Sequence, residues 1–368
     1  MRILFLSDGS SIHTVRWVNT LANRGNEVHL VYKFNDFPKT DNIDKRVIQH
    51  RLKYGGTKGY FLNARYLNKL YKKIKPDVVN THYASGYGTL ARLAKLRPLV
   101  LSVWGSDVYD FPYQSKLNMK ILLKNLNYAD QIASTSISMA DQVRKLLKNE
   151  NFDIKITPFG VDTDIFSKKE MKKNNDKIVI GLVKSLENKY GIKTLIKAID
   201  LLIKNLNKKD EIDIAKKIQL DIYGDGSLKD ELIEMIESKK LEDIVFLKGR
   251  IPNTEVPNAL NEFDIFCATS EIDSESFGVA LVEAMAVELP SVVTDVSGFK
   301  EVCSDGQTGI VVEKKSVSAI AEGLERLVLN ENLRNEMGKN ARKRVLQLYD
   351  WNNNVDSMIE IYKEVINK

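Results

Sequence analysis

Two carboxylates stand with seven residues between them in Glu275-Ser-Phe-Gly-Val-Ala-Leu-Val-Glu283, a glycine and the start of an apolar helix among those seven. The run before them, Asp264-Ile-Phe-Cys-Ala-Thr269, reads as a buried strand, and Val279, Leu281, Val282, Ala284, Met285 and Ala286 read as a helix buried on most sides. A helix start presents unpaired N–H groups and a partial positive charge, which suit a phosphate. A helix opening at Gly278 puts Glu283 about 7–8 Å further along, at ~1.5 Å per residue. One carboxylate then flanks each end of a bound diphosphate, the layout that a nucleotide sugar needs. A glutamate near a helix start also complements the helix dipole with no ligand at all, so spacing alone leaves both readings open.

Other groups fall at strand ends. Lys184 and Lys189, in Gly181-Leu-Val-Lys-Ser-Leu-Glu-Asn-Lys-Tyr-Gly191, lie in a strand-to-helix loop where two ammonium groups could hold a diphosphate or simply be solvated. Gly224-Asp-Gly226 is too short for a dinucleotide fingerprint and reads as a tight turn. Of the four histidines, His82 ends the strand Asp77–Thr81 and His13 sits on the first strand-to-helix loop; each is a cleft group or a hydrogen-bonded core residue. His29 and His50 read as structural. Asp162-Thr-Asp164 reads as a turn, and no other cluster has metal-ligand spacing.

These groups need a frame to hold them. The 368 residues suit two ordinary domains, with 43% hydrophobic and 28% charged residues as in soluble globular proteins. Short apolar runs alternate with amphipathic stretches. Strands are expected at 2–7, 27–32, 77–81, 99–103, 131–134 and 154–157, with helices near 12–24, 60–74, 86–96, 115–127 and 137–149. After the polar run Ser167 to Lys177, taken as a linker, strands resume at 178–183, 218–223, 244–247, 264–268, 291–294 and 309–312. Helices are expected there near 190–205, 227–239, 254–261, 278–288 and 316–329, with a helical end from 332 to 367 broken at Trp351. The rhythm predicts an α/β chain of two Rossmann-like domains facing each other across a cleft, with ligands at the carboxyl ends of the strands.

Charge is uneven. Residues 1–165 carry 25 Lys and Arg against 14 Asp and Glu, whereas residues 166–368 carry 30 against 35. The basic half calls for an anionic partner such as a membrane surface or lipid phosphate, and nothing resembles a nucleic-acid reading motif. The stretch 60–75 is amphipathic and basic, as if to dock on lipid or to pack on its own sheet with its lysines solvated. Lys116, Lys120 and Lys124 repeat the theme. Two cysteines without paired spacing, Cys267 and Cys303, and an opening run too short for a signal peptide predict a cytoplasmic protein, peripheral on the inner membrane face.

With these motifs in order, the chain resembles glycosyltransferase family 4, retaining nucleotide-sugar transferases of the GT-B fold. The likeness rests on Glu275 to Glu283, on Pro158-Phe-Gly-Val-Asp-Thr-Asp-Ile-Phe166, on Gly298-Phe-Lys-Glu301 with Gly306-Gln-Thr-Gly309, on Trp104-Gly-Ser-Asp107 and on Trp351. It implies an acceptor-side domain at 1–165, a donor domain at 166–349 and a helix at 350–368 returning to the first domain. It implies a catalytic set of His82, Lys184, Lys189 and Glu275, with Glu275 on the donor sugar and Lys189 on phosphate. Glu283 falls on the ribose, and the backbone of Phe277, Gly278, Val279 and Ala280 on phosphate. Gly249 and Arg250 wall the nucleobase, Gly9 belongs to the donor-binding loop, and His13, Trp104 and Asp107 lie on the acceptor side. Ser185 stands where many members have arginine, which makes Lys184 the second phosphate cation. The first loop has Gly9 in place of a double glycine. The resemblance implies no metal or cofactor beyond the nucleotide-sugar co-substrate, and a glycan or lipid-linked acceptor of envelope or capsule assembly. A same-fold epimerase or phosphorylase, or a silent nucleotide-sugar-binding subunit, stands as the alternative.

Overall fold

The computed structural model describes residues 1–38, 43–170, 176–275 and 277–368; Ser276 and part of the expected linker, residues 171–175, lie outside them. The chain divides into two compact units, Met1–Pro158 with Asn352–Lys368, and Phe159–Trp351.

The first unit is built on seven parallel strands: β1 (Arg2–Leu6), β2 (Glu27–Tyr32), β3 (Ile48–Arg51), β4 (Val78–His82), β5 (Leu99–Val103), β6 (Gln131–Ser134) and β7 (Ile154–Ile156). Their order is β3-β2-β1-β4-β5-β6-β7. Ile3, Leu4, Phe5 and Leu6 have no exposed surface, as befits a parallel strand covered on both faces. Edge strand β3, Ile-Gln-His-Arg, was not expected from its sequence. It is polar and mostly exposed, so it carries no apolar run to read. It is held by parallel pairing with β2 and by a hydrogen bond between the rings of His29 and His50 at 2.9 Å.

The second unit holds six parallel strands: β8 (Ile178–Val183), β9 (Ile218–Tyr223), β10 (Val245–Gly249), β11 (Ile265–Ala268), β12 (Ser291–Thr294) and β13 (Gly309–Val312), in the order β10-β9-β8-β11-β12-β13. In each sheet the winding reverses beside the first strand of its unit, between β1 and β4 and between β8 and β11. The carboxyl ends of those strand pairs are where open α/β sheets take ligands.

The boundary between the units falls earlier than 165, because residues 159–166 are tied into the second unit. Val161 bridges to Asp350, Thr163 Oγ1 donates to Asp350 at 2.7 Å, and the Arg342 guanidinium donates to the carbonyls of Thr163 and Phe166. Asp162 accepts from the amides of Asp164 and Ile165, both at 3.1 Å, which makes Asp162-Thr-Asp164 a turn. The final helix, Trp351–Ile366, joins the first unit from residue 352 onward. Tyr362 is fully buried there and donates to Asn80 Oδ1 at 3.1 Å, while Glu364 pairs with Lys155 at 3.0 Å.

The expected helix 60–74 is two helices, Gly56–Leu62 and Ala64–Ile74. Asn63 breaks it: wholly buried, its side chain donates to the carbonyls of Tyr54 and Gly59 and accepts from the Tyr54 amide. Leu67 and Ile74 enter the core with Leu70 and Tyr71 packed beside them, whereas Phe61, Leu62 and Tyr66 stay exposed. No helix of the described residues is long and apolar enough to cross a membrane.

Candidate active site

The second sheet gathers the charged groups at its switch point. Lys184 follows β8, Glu275 lies in the loop after β11, and their side chains form an ion pair at 2.5 Å, mostly shielded from solvent. The sequence placed these two groups in separate roles; the fold makes them partners. Ser270 Oγ lies 3.5 Å from the same Glu275 oxygen. The Tyr190 ring sits 4.4 Å from the Lys184 ammonium and 5.0 Å from that of Lys189. Such cation–π contacts hold a flexible lysine in a preferred place. Tyr190 was absent from the expected site, although its position one residue after Lys189 was the available signal.

The helix Val279–Ala286 begins at Gly278, whose φ of 82° lies in the left-handed region that glycine tolerates. A Cβ there would stand 2.7 Å from the Phe299 ring, so glycine is required on two counts. Gly278 O accepts from Leu281 and Val282, which leaves the amides of Val279 and Ala280 ahead of the helical ladder, as at any helix start. Phe277 itself is core, its ring 5.5 Å from Tyr349 and 6.0 Å from Phe159, so only its backbone can serve a ligand. Glu283 sits one turn in, half-buried.

Gly224-Asp-Gly226 proves to be more than a turn. A Cβ on Gly224 would meet the Lys184 carbonyl at 1.9 Å, and one on Gly226 the Leu186 carbonyl at 2.5 Å. The two glycines let the loop after β9 lie against the lysine loop. Together with Ser185, Arg250, Asn253 and Val256 they line a groove of about 530 Å³, large enough for a nucleoside. Gly249 has a φ of 74° at the end of β10 and passes its carbonyl to the Gly224 amide at 2.8 Å. The loop before Glu275 is tethered by Thr294 to the Ser270 carbonyl at 2.6 Å and by Asp273 to the Ser297 amide at 2.9 Å.

The first sheet presents a different surface at its own switch point. His82, at the end of β4, is 1% exposed and packed against Phe5 and Trp104, with ring centroids 4.5 and 4.4 Å away. Its Nε2 bonds Asn80 Oδ1 at 3.0 Å, and its Nδ1 has no partner among the described residues. Burial, with His13 nearby, holds its pKa well below the ordinary value. The expectation of a catalytic side chain therefore changes: a sealed, neutral imidazole positions the strand end and offers no open face to a sugar. His13 packs edge-on against Trp104 at 5.6 Å, and burial with Arg16 nearby lowers its pKa to about 4.

Asp107 is also corrected. It is wholly buried, and its oxygens accept from the amides of Ala84 at 2.7 Å, Trp104 at 3.1 Å and Gly105 at 2.9 Å. It knits the loops after β4 and β5 together, and its burial keeps it from the surface. Burial raises its pKa despite those three bonds. Gly9 is explained by packing within its own unit, since a Cβ would meet the Asp36 carbonyl at 2.8 Å.

The chain thus consists of two Rossmann-like α/β units, with cations, a helix start and a carboxylate gathered at the second unit's switch point. The family described as "Glycosyl transferases group 1" matches residues 163–344, and "Glycosyl transferase 4-like" matches residues 2–136. The chain belongs to the glycosyltransferases of family 4 type and has the GT-B fold. An N-acetyl-alpha-D-glucosaminyl L-malate synthase from Bacillus anthracis is 24% identical over 379 residues, covering 97% of this chain and 94% of its own. The capsular polysaccharide biosynthesis glycosyltransferase CapM of Staphylococcus aureus is 28% identical over 303 residues, covering 75% and 73%. Among solved structures, Anabaena HepE in complex with UDP-glucose superposes with a TM-score of 0.79 at 16% identity, covering 99% of this chain and 100% of that one.

Proposed function

We propose that this glycosyltransferase moves a hexose or N-acetylhexosamine from a nucleoside-diphosphate sugar to a hydroxyl of an envelope or capsule glycan, with retained anomeric configuration. The observation that carries the reading is the Lys184–Glu275 pair, at 2.5 Å, beside the start of the helix Val279–Ala286. The bond from the sugar C1 to the β-phosphate oxygen breaks, and the diphosphate leaves with the electron pair. A new C1–O bond to the acceptor forms on the same face, and the acceptor proton passes to the departing phosphate. Charge builds on the diphosphate as the bond breaks, so the groups that meet it there accelerate the step. Lys184, Lys189 and the amides of Val279 and Ala280 are those groups, and they act without a metal. Glu275 orients both the Lys184 ammonium and the sugar hydroxyls, Glu283 takes the ribose, and Gly249 and Arg250 wall the base.

A uridine-diphosphate hexose is the first donor to try, because HepE was solved with UDP-glucose. A capsule or wall glycan is favoured as acceptor by the names of the relatives, CapM among them. Exposed Phe61, Leu62 and Tyr66 stand beside the basic Lys58, Arg65 and Lys69, and this patch serves contact with an anionic, inner-face membrane surface. Flotation with anionic liposomes at low and high salt tests that part; salt-insensitive behaviour or no flotation removes it. The transfer itself is tested by nucleoside-diphosphate release from uridine-, guanosine- and adenosine-diphosphate sugars, with and without acceptor and with chelator. Acceptor-stimulated release that survives chelation is expected. Donor conversion without acceptor would point to an epimerase instead, and chelator-abolished release would refute metal independence.

A further inference from the structure

Tyr83 stands out from every other strained position in the described chain. Eight non-glycine residues have positive φ: Lys75, Tyr83, Lys95, Lys148, Asp210, Lys240, Glu288 and Lys315. Lys75 and Lys148 are left-handed helix caps, and Lys95, Asp210, Lys240 and Glu288 follow helix ends directly, the ordinary use of that conformation. Lys315 lies in the turn before the helix Val317–Val328. Tyr83 alone follows a strand, with φ of 68°, and it is the one aromatic residue of the eight. A bulky side chain is disfavoured there, and strain of this kind gathers at functional positions.

Its surroundings fix the strain in place. The Tyr83 amide donates to the Ser102 carbonyl at 3.0 Å, and its carbonyl accepts from Gly88 at 3.0 Å. Its ring meets Trp104 at 5.1 Å, tilted by 49°, so two aromatic faces form a corner at the carboxyl ends of β4 and β5. Both side chains remain partly exposed. The Tyr83 hydroxyl has no hydrogen-bond partner among the described residues. Burial above all, then Asp107, Asp8 and Tyr60, pushes its pKa up to about 12, so the hydroxyl keeps its proton and can donate. A flat apolar face with a hydroxyl donor at its rim matches a pyranose ring, whose C–H face is apolar and whose edge carries oxygens; an open-chain polyol has no such face.

We infer that Tyr83, with Trp104, forms an aromatic platform that receives a pyranose ring of the acceptor glycan and selects it over open-chain polyols. This rests on the glycosyltransfer reading above. Asparagine accepts a left-handed backbone, so Tyr83→Asn removes the ring while keeping the turn; Tyr83→Phe removes only the hydroxyl. Initial rates are measured with methyl hexopyranosides and with hexitols as acceptors, and thermal midpoints are recorded for each variant. Tyr83→Asn should raise KM for the pyranosides at least tenfold with donor KM changed less than twofold, and Tyr83→Phe should stay within about threefold of the parent. An unchanged pyranoside KM in Tyr83→Asn, equal rises in donor and acceptor KM, or hexitols accepted as well as pyranosides, overturns the inference. Absence of turnover by the unaltered protein with every nucleotide sugar would instead overturn the transfer reading on which it stands.

Discussion

The two units use the same sheet design and fill its switch point with opposite chemistry. At β8 and β11 stand Lys184, Lys189, Glu275 and an open helix start, groups that carry charge. At the ends of β1, β4 and β5 stand His13, His82, Tyr83 and Trp104, aromatic rings packed on one another. The fold therefore supplies only the location, and the loop residues decide whether a phosphate or an apolar surface is met there. The difference extends to the buried charges. Asp107 is spent on three loop amides, whereas Glu275 is spent on a lysine that a phosphate can share.

Four perturbations would break or sharpen that contrast. Asp107→Ala leaves three buried amides without acceptors and should cost about 3 kcal/mol of the first unit's stability in urea unfolding; a loss below about 1 kcal/mol would mean that water replaces the carboxylate. Lys184→Ala strips the cation from Glu275 and should lower turnover at least a hundredfold, about 2.7 kcal/mol of barrier. A near-normal rate with a cognate donor would put the phosphate elsewhere. Lys189→Ala or Glu283→Ala should lower turnover at least tenfold, about 1.4 kcal/mol.

The smallest effect belongs to pH. His13 has a folded pKa of about 4, against an ordinary value of 6.5, so the unfolded chain binds more protons between those values. Its contribution is intact above pH 7 and is lost as pH falls toward 4, about 0.8 kcal/mol at pH 6. His82 acts in the same sense and Asp107, with its raised pKa, in the opposite one at the acid end. His13→Asn should flatten the fall in thermal midpoint between pH 7 and 5. An unchanged pH profile in that variant would contradict the burial assigned to this ring.

The sequence exposed the strands of both units far better than the pairings between distant residues, for a physical reason. β8, β9, β12 and β13 match their expected bounds, as β2, β5 and β6 do in the first unit, because short runs rich in β-branched and apolar residues between turn and helix signals mark a strand. Glu275, Gly278 and the lysines announce themselves by residue type and position at strand ends. The pairing of Lys184 with Glu275 spans 91 residues, and the approach of Gly224 to the Lys184 carbonyl spans 40; no local pattern encodes either. β3 escaped because an exposed edge strand has nothing apolar to display. Asp107 was misread because a carboxylate in a loop has the same letter whether it faces solvent or three amides. Tyr83 escaped because backbone strain leaves no trace in composition.

Hydrogen exchange with and without saturating uridine diphosphate tests the central claim most directly. Slowed exchange is predicted in 184–191, 224–226, 249–253 and 277–283, with residues 78–107 unaffected until an acceptor is added. Protection confined to the first unit, or none in those four segments at saturation, would contradict the assignment of donor recognition to the charged switch point of the second unit.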